Sequence, residues 1–95
     1  MPDANYFKPA GIPVPLLEEV VLTLDEFEAV RLADFLHLYH EDGARNMNIS
    51  RQTFGRIIGS ARKKIADVLI NGKALKIEGG EVAIGNSKEV IGETI

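Results

Sequence analysis

A mainly α-helical domain with a three-helix core, an extended N-terminal arm and a small C-terminal β-hairpin is the fold class this sequence predicts. Three observations lead there. All four prolines (Pro2, Pro9, Pro13, Pro15) lie in the first 22 residues, apolar residues recur at helical spacing between Phe27 and Leu69, and two alternating runs flank Gly79-Gly80. Length agrees, because 95 residues, 45% hydrophobic and 26% charged, support one core. A chain this short buries only about 60% of its unfolded surface, so good helix caps or a partner subunit must supplement the core, and a homodimer is one candidate.

Residues 1–22 read as an extended arm, since proline removes amide donors and biases the preceding residue away from helix. Tyr6, Phe7 and Ile12 are its expected anchors, and Leu16 to Leu22 fits either a helical turn or a strand. The helical domain spans 23–72. Its first helix opens at Thr23, where Thr23-Leu24-Asp25-Glu26 has capping-box spacing with Leu22 and Phe27 at the staple positions. Phe27, Val30, Ala33 (or Asp34) and Leu36 then predict a helix to about Leu36, with an acidic outer face. A second, shorter helix runs from about Tyr39 to Met47 despite the poor interior pair Asp42-Gly43. Asn48 tolerates the left-handed conformation of a tight turn, and Ser50 caps a third helix. That helix carries Phe54, Ile57, Ile58, Ala61, Ile65, Val68 and Leu69 on one face and stops at Asn71-Gly72 after about 21 residues. Residues 73–84 form the expected hairpin, Ala74 to Ile77 with Glu81 to Ile84, and 85–95 read as a flexible tail.

Charge order carries the first functional signal. From Glu18 to Asp42 there are eight acids against Arg31 alone, whereas Arg45 to Lys64 holds six bases and no acid, within a net charge of -3. A segregated basic segment is a footprint for polyanions even in an acidic protein, or alternatively a solvated helix face paired with the acidic half. Residues 40–59 fit a helix-turn-helix: Ala44, with Gly43 beside it, at the close approach, Asn48 at the turn between Met47 and Ile49, and Ser50 at the cap of the second helix. With Phe54, Ile57, Ile58 and Ala61 inward, Arg51, Gln52, Gly55, Arg56 and Gly59 face outward. Arg pairs with guanine and Gln with adenine, and the amides near Ser50 and Thr53 favour a phosphate. Gly55 and Gly59 allow close backbone approach to a groove, or alternatively a helix contact. Arg62, Lys63 and Lys64 are candidate contacts to flanking phosphates, or alternatively a solvated helix end.

Five ordered strings carry a resemblance: Tyr6-Phe7-Lys8-Pro9-Ala10-Gly11-Ile12-Pro13, Leu22-Thr23-Leu24-Asp25-Glu26, Ile49-Ser50-Arg51-Gln52-Thr53-Phe54-Gly55-Arg56, Ser60-Ala61-Arg62-Lys63-Lys64 and Asn71-Gly72-Lys73-Ala74-Leu75. From about Tyr6 to Gly80 the chain resembles the domain of unknown function 134 family, uncharacterised protein family 0251. The resemblance implies a predicted DNA-binding protein with a helix-turn-helix similar to sigma-factor region 4, in a sigma-region-4-like or winged-helix-like arrangement. Where that family tends to have a basic extension, Glu-Glu-Ala-Ala and a turn glycine, this chain has Met1-Pro2-Asp3-Ala4-Asn5, Glu41-Asp42-Gly43-Ala44 and Asn48, so a loosened positioning helix is expected.

Competing readings are weaker. Asp34, His37, His40 and Glu41 lack the spacing of a zinc hydrolase, Ser50 and Ser60 have no nearby histidine base, and Gly79-Gly80 lacks a downstream Lys-Ser/Thr, so no enzyme activity, metal or cofactor is expected. Single-stranded or RNA partners want exposed aromatics, and Phe54 is placed for the core. With no cysteine, no apolar run of about 20 residues and no secretory signal at the start, the expected setting is a reducing cytoplasm without membrane contact. The expected partner is double-stranded DNA, sequence-specifically bound by a transcriptional regulator; the alternative is a sigma-like module contacting RNA polymerase or another regulator.

Overall fold

The structure, a computed structural model, describes residues 4–79. Three helices and a small sheet make up this part, which is mainly α. Helix α1 (Leu24–Val30) begins at Thr23, whose side chain accepts from the Glu26 amide at 3.4 Å while the Glu26 carboxylate accepts from the Thr23 amide at 2.9 Å. The expected capping box is therefore complete, and Phe27 packs against buried Leu22 as a staple should.

The end of α1 departs from expectation. Residues Arg31–Phe35 continue the helix as a widened π-type turn, in which the Leu36 amide donates to the Arg31 carbonyl at 2.9 Å. An added residue per turn rotates everything after it, so Leu32 and Ala33 are buried while Leu36, expected in the core, is 45% exposed. His37 then takes φ 59°, and the Leu38 amide turns back to the Leu32 carbonyl at 3.0 Å, which closes the helix end.

Helix α2 (His40–Met47) follows Tyr39, and helix α3 (Arg51–Asn71) is 21 residues long. Asn48 between them adopts φ 60°, Ser50 caps α3 by accepting from the Thr53 amide at 3.1 Å, and Gly72 ends it at φ 64°. These local signals act as their chemistry dictates. Phe54, Ile58 and Ala61 of α3 are fully buried, the first two against Ala29, Leu32, Ala33 and Ala44, and the last with Leu22 and Ile77. Leu69, expected on that inner face, is instead 75% exposed, because the helices it follows end before α3 does.

The small residue at the closest approach of α2 and α3 is Gly43 rather than Ala44 alone. A Cβ on Gly43 would lie 2.5 Å from Phe54 Cζ and 2.7 Å from its Cε1. The poor helix propensity of Gly43 is thus exchanged for room to seat the Phe54 ring, which also meets His40 edge-on at 5.4 Å.

The arm is not merely extended. It supplies strands β1 (Tyr6–Phe7) and β2 (Glu19–Leu22), separated by a 3-10 turn at Val14–Leu16, and these flank β3 (Ala74–Ile77) in the order β1-β3-β2. Strand β1 runs antiparallel to β3 with Phe7 opposite Leu75, and β2 parallel with Leu22 opposite Ile77. Both edges of the strand expected to begin a hairpin are therefore occupied by the arm, whose backbone groups need partners. The hairpin's other half, 81–84, and the tail, 85–95, lie outside the described residues.

One carboxylate ties these parts together. Glu26, buried on α1, accepts from Ser60 Oγ at 2.6 Å and Lys64 Nζ at 2.8 Å, and Lys64 also donates to the Val21 carbonyl on the outer edge of β2 at 2.8 Å. Burial alone would raise the Glu26 carboxyl, but Lys64, Ser60 and the Thr23 amide outweigh it and hold it below its ordinary value.

Two expectations follow. Gly43→Ala, normally stabilising within a helix, is expected here to lower the unfolding free energy by about 1–3 kcal/mol in denaturant titrations, with recovery in Gly43→Ala/Phe54→Leu. Because the Glu26 carboxyl is depressed in the folded state, its contribution is full above the ordinary carboxylate value and disappears as pH falls through the folded one. Glu26→Gln should therefore lose about 1.5–3 kcal/mol at pH 7 and converge on the parent as pH falls below the ordinary carboxylate range; parallel stability curves would show that the ion pair contributes nothing.

Candidate nucleic-acid interface

The inner face of α3 is anchored by Phe54, Ile58 and Ala61, so the opposite face is set by helical geometry alone. Gln52, Arg56, Gly59 and Lys63 fall on one exposed ridge, following one another at four, three and four residues. Gly55 lies beside it, and a Cβ at Gly55 or Gly59 would meet no atom within 4 Å beyond its chain neighbours and the helix's own backbone. The helix-contact alternative for these glycines therefore has no partner within the described chain. Ser50 donates to Thr53 Oγ1 at 2.9 Å, and Arg56 Nη2 reaches the same oxygen at 3.4 Å, which orients the guanidinium along the first turns of α3.

Arg51 stands apart from that ridge. It lines a groove of about 470 Å³ with Tyr39, His40, Glu41 and Arg62, at the junction of α2 with α3. The grouping of Arg51 with Gln52 and Arg56 on one outward face is thus corrected to a ridge and a flanking groove, because 51 and 62 share one side of the helix and 52, 56 and 63 another.

The six bases also divide. Arg62 makes a two-pronged contact with Asp34, Nη2 to Oδ1 at 2.7 Å and Nε to Oδ2 at 3.2 Å. That contact lowers the Asp34 carboxyl and raises the Arg62 guanidinium. Lys64 is held by Glu26 and the Val21 carbonyl, and Arg45 by Asp42 at 2.7 Å. Among the described residues Arg51, Arg56 and Lys63 form no ion pair. Sequence order alone leaves open whether the six bases form a polyanion footprint or a face paired with the acidic half. In part they pair with it, through contacts separated by 28 and 38 residues.

Two of the candidate metal ligands have other partners. Asp34 turns to Arg62, and His40 lies edge-on to Phe54. Among the described residues no three His, Cys, Asp or Glu side chains form a metal-holding group. Tyr39, 78% exposed at the rim of the Arg51 groove just before α2, is a polar aromatic that the motif reading did not single out.

Residues 1–85 match the family model described as "Protein of unknown function DUF134". The chain belongs to this family. It is 58% identical over 79 residues to a UPF0251 protein of Desulfosudis oleivorans, covering 83% of this chain and 57% of that protein. A UPF0251 protein of Caldanaerobacter subterraneus subsp. tengcongensis is 55% identical over 83 residues, covering 87% of this chain and 70% of that one. A third, of Prosthecochloris aestuarii, is 57% identical over 82 residues, with 86% and 53% covered. The chain thus spans between about half and about two thirds of these relatives' lengths. No solved structure matches it. Among the described residues no helix is long and apolar enough to cross a membrane.

The division of the bases makes a distinction that thermal melts can read. Lys64→Ala is expected to lower thermal stability by several degrees through the loss of its bond to Glu26, whereas Lys63→Ala, exposed and unpaired, is expected to leave the melting temperature within about 1 °C. Equal shifts in thermal melts would contradict the assignment of the two lysines to different tasks.

Proposed function

We propose that α2, the Asn48–Ser50 connection and α3 form a helix-turn-helix that binds duplex DNA sequence-specifically, and that the protein is a transcriptional regulator. The observation that carries this reading is the exposed ridge of α3: cationic at Arg56 and Lys63, amide-bearing at Gln52, unobstructed at Gly55 and Gly59, and without an acid from Arg51 to Lys64. Duplex DNA carries a negative charge about every 1.7 Å, and a major groove about 12 Å wide admits one helix. In the proposed pose Gln52 and Arg56 face base edges. Ser50 and Thr53 place the N-terminal amides of α3 near a phosphate, while Arg51 and Tyr39 meet the backbone beside the groove. Lys63 touches a flanking phosphate. Arg62 and Lys64 are left out, since each already has a carboxylate partner.

A second reading has its own observation. Phe35 and Tyr39 are 77% and 78% exposed on the connection between α1 and α2, among acidic residues, a surface suited to a basic protein partner such as a polymerase subunit or another regulator. The two readings separate by their response to salt and to charge reversal. With Arg51 and Lys63 as the cations on phosphates, DNA affinity should fall with a log-log salt slope of about -2 per protomer. Arg56→Glu should weaken duplex binding at least tenfold in mobility-shift or anisotropy titrations while the melting temperature holds. A flat salt profile together with unchanged affinity in Arg56→Glu would remove the DNA reading and leave the protein-partner one.

A further inference from the structure

Of the three bases without an ion pair among the described residues, only Arg56 has a hydrogen-bond partner there, Thr53 Oγ1 at 3.4 Å. The threonine that holds it is itself held twice. Its amide donates to Ser50 Oγ at 3.1 Å, and Ser50 Oγ donates to Thr53 Oγ1 at 2.9 Å. A β-branched side chain is stiff about χ1, and residues three apart are neighbours on a helix, so both steps from 50 to 53 to 56 join adjacent groups. A short polar chain thus runs from the start of α3 to its exposed ridge.

The helix cap does not explain this chain. Capping uses the Thr53 amide and Ser50 Oγ, which a valine at 53 would preserve. The hydroxyl is surplus to that task. A threonine oxygen has two lone pairs, here occupied by Ser50 and Arg56, so its own proton can only be donated, and among the described residues it has no acceptor. Arg56 in turn gives one of its five N–H groups to Thr53 and keeps four.

Holding an arginine matters for one kind of contact more than another. A phosphate accepts a guanidinium from many directions, whereas two parallel bonds to guanine O6 and N7 require its plane to be fixed. We propose that Thr53 is the positioning residue that sets Arg56 on a guanine, its hydroxyl bridging the guanidinium and a backbone phosphate beside the start of α3. The inference rests on the DNA reading and extends it by naming the base and the side chain that selects it.

Site selection from random duplexes tests it with the full chain. Arg56→Ala should lose the preference at one guanine, which marks the position that Arg56 reads. Thr53→Val should lower the discrimination between that G·C pair and A·T about fivefold or more, with the salt slope still about -2 and the melting temperature within about 2 °C. Thr53→Ser, which restores the hydroxyl, should recover most of the discrimination. In the free protein, NMR relaxation should show the Arg56 Nε–H more ordered than that of Arg51, and Thr53→Val should remove the difference. Full discrimination in Thr53→Val, or equal order of the two arginines in the parent, overturns the proposal and leaves the DNA reading intact. A loss of discrimination that accompanies a lower melting temperature and is not recovered in Thr53→Ser marks a merely structural threonine and overturns it too. A parent that binds no duplex, or binds all duplexes alike, removes the sequence-specific DNA reading and this role with it.

Discussion

The Glu26 carboxylate is where the cap of α1, the middle of α3 and the edge of β2 meet. It accepts from the Thr23 amide, from Ser60 and from Lys64, and Lys64 extends the link to the Val21 carbonyl. A buried carboxylate is expensive unless each lone pair is used, and here the donors come from separate segments of the chain. The direction in which α3 leaves the core, and hence the direction in which its outer ridge points, follows from that shared anchor and from the Phe54 ring seated under Gly43. The same lysine blunts an open strand edge that would otherwise pair with another chain.

Neutralisation inside the molecule shapes what remains outside. Of the basic block, Lys64, Arg62 and Arg45 answer to Glu26, Asp34 and Asp42, and these pairs differ in weight. The Arg62–Asp34 and Arg45–Asp42 pairs are exposed enough that each is worth at most about 1 kcal/mol, so their role is to direct charge rather than to stabilise. Arg51, Arg56 and Lys63 are left without an ion pair among the described residues. An overall acidic chain can in this way present a cationic ridge, because the field near a surface depends on local arrangement and not on net charge.

The two ends of α3 have different surroundings for a simple reason of length. Its first three turns are sandwiched against α1 and α2, while its last turns outrun both helices and meet only the short sheet. Apolar side chains on the inner face of the first part become core, whereas Leu69 on the last part is exposed, and Ile70 falls on the outer ridge line of Gln52, Arg56 and Lys63. The exposure of Leu69 follows from where the neighbours of α3 stop.

Much of the local structure was legible from neighbours along the chain. Thr23 with Glu26, Asn48, Ser50 and Gly72 each act within about four residues, so the starts and stops of the helices could be read directly, as could the inward set Phe54, Ile58 and Ala61 and the outward exposure of Gln52 and Arg56. Pairings across the fold were not legible. The arm's two strands select β3, Arg62 and Lys64 select acids 28 and 38 residues away, and Gly43 answers to a ring on another helix. The widened turn at Arg31–Phe35 also escaped periodicity, since the pattern of apolar residues presumes a constant pitch. Residue order determines short-range hydrogen bonding because loop closure there is inexpensive; only the assembled tertiary structure decides which distant charge, edge or side chain becomes the partner, because many combinations satisfy the same local rules and packing admits one.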